Sequence, residues 1–339
     1  MSARNNGKLN FAWSLVLIVL PVLTALCALC IGRISIAPNE VMAVLLSKLG
    51  IGAGADRLVE MTVWKLRMPR ILLALLVGAG LSASGCAFQS LFANPLATPD
   101  TLGVASGASF GAALGILMGL GMVGMQISSM LMGGLAVMLT WLAGSGRDKG
   151  LGRVVLAGIM IGSLFTALVS LVKFVADTES QLPAISYWLM GSLDKAGYEN
   201  LLYGAPPVII GMLILCLLRW RMNLLPLSDD EARASGTNIA ALRGVTVVCA
   251  TAITASCVSM CGQVGWIGLL VPHMCRMKFG SNHMSLLPAS ISLGAVFMVI
   301  VDTVARSASA AEIPVSILTA IIGAPFFIVL MRRSGGWSF

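Results

Sequence analysis

From Thr101 to Gly146 the chain runs 46 residues without one charged side chain or histidine. A helix needs about 20 apolar residues to cross the roughly 30 Å hydrocarbon core of a bilayer. The run is therefore too long for a single crossing, and the glycines between Gly119 and Gly124 mark the joint at which it divides into two. Composition points the same way: hydrophobic residues make up 58% of the 339 and charged ones 11%, a balance that no water-soluble domain of this size tolerates.

The remaining spans follow from the same rule. Phe11–Ile31 and Ile71–Leu91 precede the long run, Val154–Val172 and Leu201–Leu218 follow it, and Gly244–Cys275 again exceeds one crossing. Gly262 and Gly265 divide that stretch into a seventh span and a short eighth ending near Pro272. Ser285–Val301 and Pro314–Met331 complete ten. Phe11–Ile31 is longer than a signal-peptide core and no small-x-small cleavage site closes it, so it reads as a retained first helix. With ten spans and both termini inside, thirteen of the 22 Lys and Arg fall on inner segments and nine on outer ones. That bias favours a cytoplasmic N-terminus. Six of the outer nine cluster in residues 32–70, and this exception wants a cause.

Small residues recur at four-residue spacing in two places: Gly103, Gly107, Gly111, Gly115 and Gly119, and Ala74, Gly78, Ser82, Cys86 and Ser90. Four residues turn about 400°, so each set is a smooth, slowly wrapping stripe. Such stripes let helix backbones approach closely in lipid. The eight cysteines all sit in apolar stretches, where cysteine behaves as a small hydrophobe. Cys27 and Cys30 have C-x-x-C spacing without a further ligand nearby, which favours packing over redox or metal chemistry. The twenty methionines are scattered and read as adaptable packing.

Several function classes are excluded or weakened. The net charge of +8 fits inner-loop lysine and arginine, and no basic stretch interleaved with aromatics suggests nucleic acid. No Gly-x₄-Gly-Lys-Ser/Thr motif is present to hold ATP. Of two histidines, His273 lies near the inner end of span eight, where a lone ring is more often a capping group than a ligand. Asp302 is an acid close to an apolar run, and proton coupling is the usual functional meaning of such a group. Arg306 one turn further on makes a structural ion pair equally economical. A proton-driven secondary transporter would need transport without an ATPase and loss of function in Asp302→Asn.

Residues 225–244, LPLSDDEARASGTNIAALRG, form the polar interruption between spans six and seven. Ser228 and Glu231 have capping-box spacing, Gly236 can stop that helix, and Thr237 or Asn238 can cap a second short one ending at Arg243. The pattern fits either a solvated connector or a pair of docking helices.

Several separated motifs, in order, resemble the FecCD family of importer permeases. They are RMPR at 67–70, GLSASGCAFQ, NPLATPDTLGVASGASFGAALG, EARASGTNIAALRG, GQVGWIGLLVPHMCR at 262–276, and DTVARSASAAEIPVSILTAIIGAPFFIVLMRR at 302–333. The resemblance covers residues 60–333. It implies an all-α polytopic protein of the type II ABC importer permease fold, about ten transmembrane helices in a single domain over 1–339, in a prokaryotic cytoplasmic membrane. It further implies a second permease copy as partner in a homodimer, and a separate ABC ATPase dimer that binds ATP and Mg. An extracytoplasmic substrate-binding protein completes the set, and no cofactor is expected in this chain. Residues 225–244 then become coupling helices, with Ser228, Glu231, Ala234, Gly236, Thr237 and Asn238 against the ATPase. Arg67, Arg70 and Arg306 become docking residues for acids on the binding protein, a task suited to arginine's planar, always-charged fork. A path shaped by spans five and ten could be faced by Met160, Ser163, Thr166 and Ser170. The cargo implied is an iron chelate, ferric siderophore first, then haem or a corrinoid. The chain itself is expected to do no chemistry.

Overall fold

The computed structural model describes residues 4–5, 8–51, 55–144, 151–308 and 312–333. Apart from a two-residue antiparallel pairing of Arg4–Asn5 with Lys8–Leu9, the ordered elements among these are helical. Each of the ten apolar segments read from sequence is a helix. They are α1 (Phe11–Cys30), α4 (Met68–Leu91), α5 (Val104–Leu117), α6 (Met122–Gly144), α7 (Leu151–Val175), α9 (Tyr198–Leu218), α11 (Ile239–Cys261), α12 (Ile267–Phe279), α13 (His283–Ala308) and α14 (Val315–Arg333). Shorter helices are α2 (Pro38–Lys48), α3 (Arg57–Glu60), α8 (Gln181–Leu189) and α10 (Asp229–Ala234). Among the described residues, seven helices are long and apolar enough to cross a bilayer, the second of them running unbroken from Arg57 to Leu91. The helices Val104–Leu117 and Val315–Val329 are apolar but shorter.

The core is organised around α4. Its residues Val77 to Leu91 are buried on every side, as expected of a helix apolar all round. Its small residues set how closely neighbours approach. A Cβ on Gly78 would strike the Gly294 carbonyl of α13, and one on Gly85 would strike Gly268 of α12. Backbone contact of this kind replaces hydrophobic burial as the source of helix association in lipid. The glycine stripe of α5 divides by task. Gly107, Gly111 and Gly115 face α6, where Ser128 and Ser129 donate to the Gly111 and Ala108 carbonyls at 2.8 and 2.9 Å. Gly103 instead takes φ +73° to open α5, and Gly119, at φ +65°, sits in the turn to α6.

Two boundaries depart from the sequence reading. The eighth span does not end near Pro272 but continues to Phe279. Proline removes the N–H that would bond the carbonyl four residues back; that carbonyl, of Gly268, accepts from Gln89 Nε2 at 3.4 Å instead. Gln89 is in turn fixed by Arg276, whose Nη2 donates to Gln89 Oε1 at 2.9 Å. The second short helix expected to end at Arg243 is also not separate. Asn238 caps α11 by accepting from the Ala241 N–H at 3.0 Å, and α11 runs through Gly244 to Cys261. A single glycine costs a helix only about 1 kcal/mol against alanine. The joint between α11 and α12 falls where expected, with Gly262 at φ +74° and Trp266 held at φ +70°. All eight cysteines are free thiols.

The bundle has two distinct ends. One collects the C-termini of α1 and α13 and the N-termini of α4, α9 and α14; Tyr198 Oη donates to the Trp64 carbonyl there at 2.7 Å. The other collects the N-termini of α1 and α13 and the C-termini of α4 and α9. There Ser90 donates to the Met222 carbonyl at 2.9 Å, and the His283 N–H donates to Asn223 Oδ1 at 2.9 Å.

Candidate functional site

The arginine end begins with an irregular turn. Residues Met61–Arg67 are π-helical, and the Met68 N–H donates to the carbonyl of Val63, five residues back. Pro69 follows at the start of α4, where its missing N–H is tolerated. A single π segment re-phases the helix around its axis, and the motif RMPR emerges with Arg67 and Arg70 both directed into protein.

Arg67, Arg70 and Arg306, which the resemblance assigns to docking, come together here. Arg67 Nη1 donates to the Leu29 carbonyl at 2.5 Å, and Nη2 donates to the Ile34 carbonyl. Arg306 Nη2 donates to the Ala28 carbonyl. Both arginines therefore serve the last turn of α1, whose final carbonyls have no intrahelical partner and carry the negative end of the helix dipole. Gly32 makes this possible, because a Cβ there would lie 2.8 Å from Arg67 Nη2. Each of the two arginines is 7% exposed.

Arg70 does different work. Its Nε donates to Asp302 Oδ1 and Oδ2 at 2.9 and 3.1 Å, its Nη2 lies 2.8 Å from Oδ1, and its Nη1 donates to Glu312 Oε2 at 2.8 Å. Asp302 is 1% exposed, and Arg306 Nε stands 3.8 Å from its other oxygen. The acid in span nine is thus a structural ion-pair partner, bound chiefly to α4 and secondarily to the arginine one turn on. Glu312 is the looser carboxylate, a quarter exposed, with Arg33 Nη2 3.8 Å from its second oxygen. A cavity of about 290 Å³ opens over this cluster, lined by Gly32, Arg33, Arg67, Arg70, Arg306 and Glu312 among others. On the same end, the Ser180 hydroxyl and N–H donate to Asp177 at 2.6 and 2.8 Å and hold its carboxyl below the ordinary range.

The opposite end carries residues 225–244. The capping box forms as written: Glu231 Oε2 accepts from the Ser228 N–H and hydroxyl at 3.1 and 2.9 Å, and the Glu231 N–H reaches Ser228 Oγ at 3.4 Å. Gly236 takes φ +73° between α10 and α11. Ala232 anchors the short helix by full burial, while Ser228, Glu231, Ala234, Gly236 and Asn238 remain exposed and Thr237 is half-buried.

Met160, Ser163, Thr166 and Ser170 share one exposed face of α7. Each hydroxyl donates to the carbonyl four residues back in its own helix, at 2.8, 2.9 and 3.1 Å. The face therefore offers oxygen lone pairs and a thioether but no charge. Sequence reasoning missed a neighbouring cavity of about 350 Å³ at the joints between helices, where Thr98, Asp100, Gln263, Trp266 and Ser316 converge. The signal available was the acid in Pro99-Asp100 standing immediately before the longest charge-free run. Among the described residues no group of three or more His, Cys, Asp or Glu could hold a metal ion.

Comparison with known proteins covers nearly the whole chain. The model of the FecCD transport family matches residues 17–333. The molybdate import system permease protein of Haemophilus influenzae is 42% identical over 318 residues, 94% of each chain. The Fe(3+)-citrate import system permease protein of Bacillus subtilis is 35% identical over 323 residues, again 94% of each. A solved structure described as an inward-facing conformation of a metal-chelate type ABC transporter superposes with a TM-score of 0.85. It is 41% identical and covers 94% of this chain and 98% of that one.

Proposed function

The chain belongs to the FecCD transport family, and from that premise we propose that it is the membrane permease subunit of an ATP-driven importer fed by a substrate-binding protein. The observation that carries this reading is the placement of two unlike devices at opposite ends of one bundle. An arginine-rich pocket lies at one end and a capped, exposed helix turn at the other. A permease driven from one side and loaded from the other needs both.

In this reading the coupling segment faces the cytoplasm. Two ATPase subunits close on ATP and Mg against Ser228, Glu231, Ala234, Gly236, Thr237 and Asn238. Because Asn238 starts α11 directly, a push on α10 is delivered to a helix packed against the central α4. The binding protein docks on the arginine end. Arg70 and the half-exposed Arg33 meet its acids, while Arg67 and Arg306 hold α1 in place beneath them. A homodimer would place the exposed faces of α7 and α14 on a shared path, with Met160, Ser163, Thr166 and Ser170 along it. The neutral hydroxyl face suits cargo that must be released rather than held.

An iron chelate, ferric siderophore first, is the cargo that the resemblance implies. Molybdate is the second reading, favoured by the 42% identical relative. Gentle purification from the native membrane, with mass spectrometry of co-purifying chains and elemental analysis of bound metal, tests both levels. An ATPase and a binding protein with iron support the first reading, and molybdenum supports the second. Isolation of the chain without an ATPase, even after crosslinking, would sink the importer.

A further inference from the structure

One sizeable cavity belongs to neither end's machinery. It is a groove of about 880 Å³ between α1, α4 and α13, at the upper end of the range for small-molecule sites. Its walls are apolar: Leu17, Ile18, Leu75, Pro288 and Ile291 lie along it. Arg219, at the end of α9, closes one extremity together with Leu9 and Met284. Among the described residues Arg219 has no carboxylate partner.

Three observations identify the occupant. The first is length. The lining runs from Met284 to Ala295 on α13, which at 1.5 Å per residue is roughly 16 Å. One leaflet of hydrocarbon is about 15 Å deep. The second is level. Trp220, beside Arg219, is 60% exposed, and Trp13 lies under Lys278 Nζ at 4.3 Å. Tryptophan gathers where hydrocarbon meets headgroups, so Arg219 stands at headgroup height. The third is charge. Arg219, Arg221 and Lys278 gather on this end, and the groove below them is uncharged.

We infer that this groove is a binding site for one anionic phospholipid, its acyl chain along α1 and α13 and its phosphate on Arg219. An acyl chain fills the gap that leaves α1, though packed on α13, thinly packed against α4, and the guanidinium supplies the headgroup preference. The lipid then acts as a wedge between the peripheral first helix and the central α4. The inference does not depend on the cargo or on the docking partner.

The test is native mass spectrometry of the purified chain in detergent, titrated with phosphatidylglycerol or with phosphatidylcholine of the same acyl chains. The intact protein should hold phosphatidylglycerol about fivefold more tightly, the factor expected of one basic residue at an anionic headgroup. Arg219→Gln should erase the preference while phosphatidylcholine still binds. Ile18→Trp, at an exposed position lining the groove, should weaken both lipids. Equal binding of the two headgroups, a preference unmoved in Arg219→Gln, or unchanged binding in Ile18→Trp would each overturn the site. Dissociation of a dimer by Ile18→Trp would overturn it too, by assigning the groove to a second copy. Both side chains lie outside the core, and an unchanged melting profile confirms that each variant is folded.

Discussion

At the arginine end, Arg70 reaches a partner 232 residues away in sequence and Arg306 reaches the α1 carbonyl of Ala28 across 278. At the opposite end, Ser228 and Glu231 hold each other across three residues, and Asn238 caps α11 across three. The first device exists only when α1, α4 and α13 are assembled, and its charges are buried. The second forms within its own segment and leaves its side chains in solvent. One end is therefore costly to alter and fixed in shape, and the other is cheap to alter and available to be moved.

The largest effect should come from breaking the long-range cluster. Asp302→Asn leaves the Arg70 guanidinium buried with only Glu312 as a carboxylate. Removing one member of a buried pair costs about 3–5 kcal/mol. The variant should accumulate poorly in the membrane and melt well below the parent in detergent. Arg70→Met combined with Asp302→Asn should regain part of that loss, because the pair is then replaced and not orphaned. If Asp302→Asn instead retained full stability and lost transport alone, the acid would have a role in coupling and the structural assignment would fail.

Next come the exposed members of the same cluster, which separate docking from stability. Arg33→Glu should leave the stability within about 0.5 kcal/mol of the parent, as surface substitutions generally do. Rim charges act mainly on association rate and its salt dependence. Binding of the receptor protein, followed by surface plasmon resonance across ionic strengths, should therefore slow and lose its salt sensitivity. Glu312→Gln should do the reverse and speed association, since it frees an Arg70 nitrogen for an incoming acid. Unchanged kinetics in both variants would remove this end from the docking surface.

What could be read from sequence divides along the same line. The helices were legible because charge-free length and glycine joints are local quantities, and the capping box at Ser228 was legible because its partners are three residues apart. The continuation of α12 past Pro272 was not, since it depends on Gln89 arriving from α4 to satisfy the Gly268 carbonyl. Arg67, Arg70 and Arg306 were singled out by resemblance, yet their partners on α1 could not be foreseen. A backbone carbonyl carries no residue-specific signal that would mark it as an acceptor. The merging of the expected second coupling helix with α11 has the same character: Gly244 looks like punctuation in sequence but is tolerated because most of α11 beyond it is buried.

The smallest expected effect is at the locally built end, and it is the most discriminating. Ser228→Ala removes a cap whose loss costs about 1 kcal/mol. That loss falls on α10, a helix of six residues, and short helices are marginal without such support. The bundle's global melting should hardly move, because α10 contributes little to the core beyond Ala232. If the segment is only a connector, transport should be equally indifferent. If it is the lever through which ATPase closure reaches α11, fraying α10 should lower receptor-stimulated ATP hydrolysis in reconstituted vesicles while the receptor still binds normally. Ser228→Asp, which keeps an N-cap acceptor, should restore it. The arginine end allows such a separation only at its rim, at Arg33 and Glu312, because Arg70 both faces the partner and holds buried Asp302.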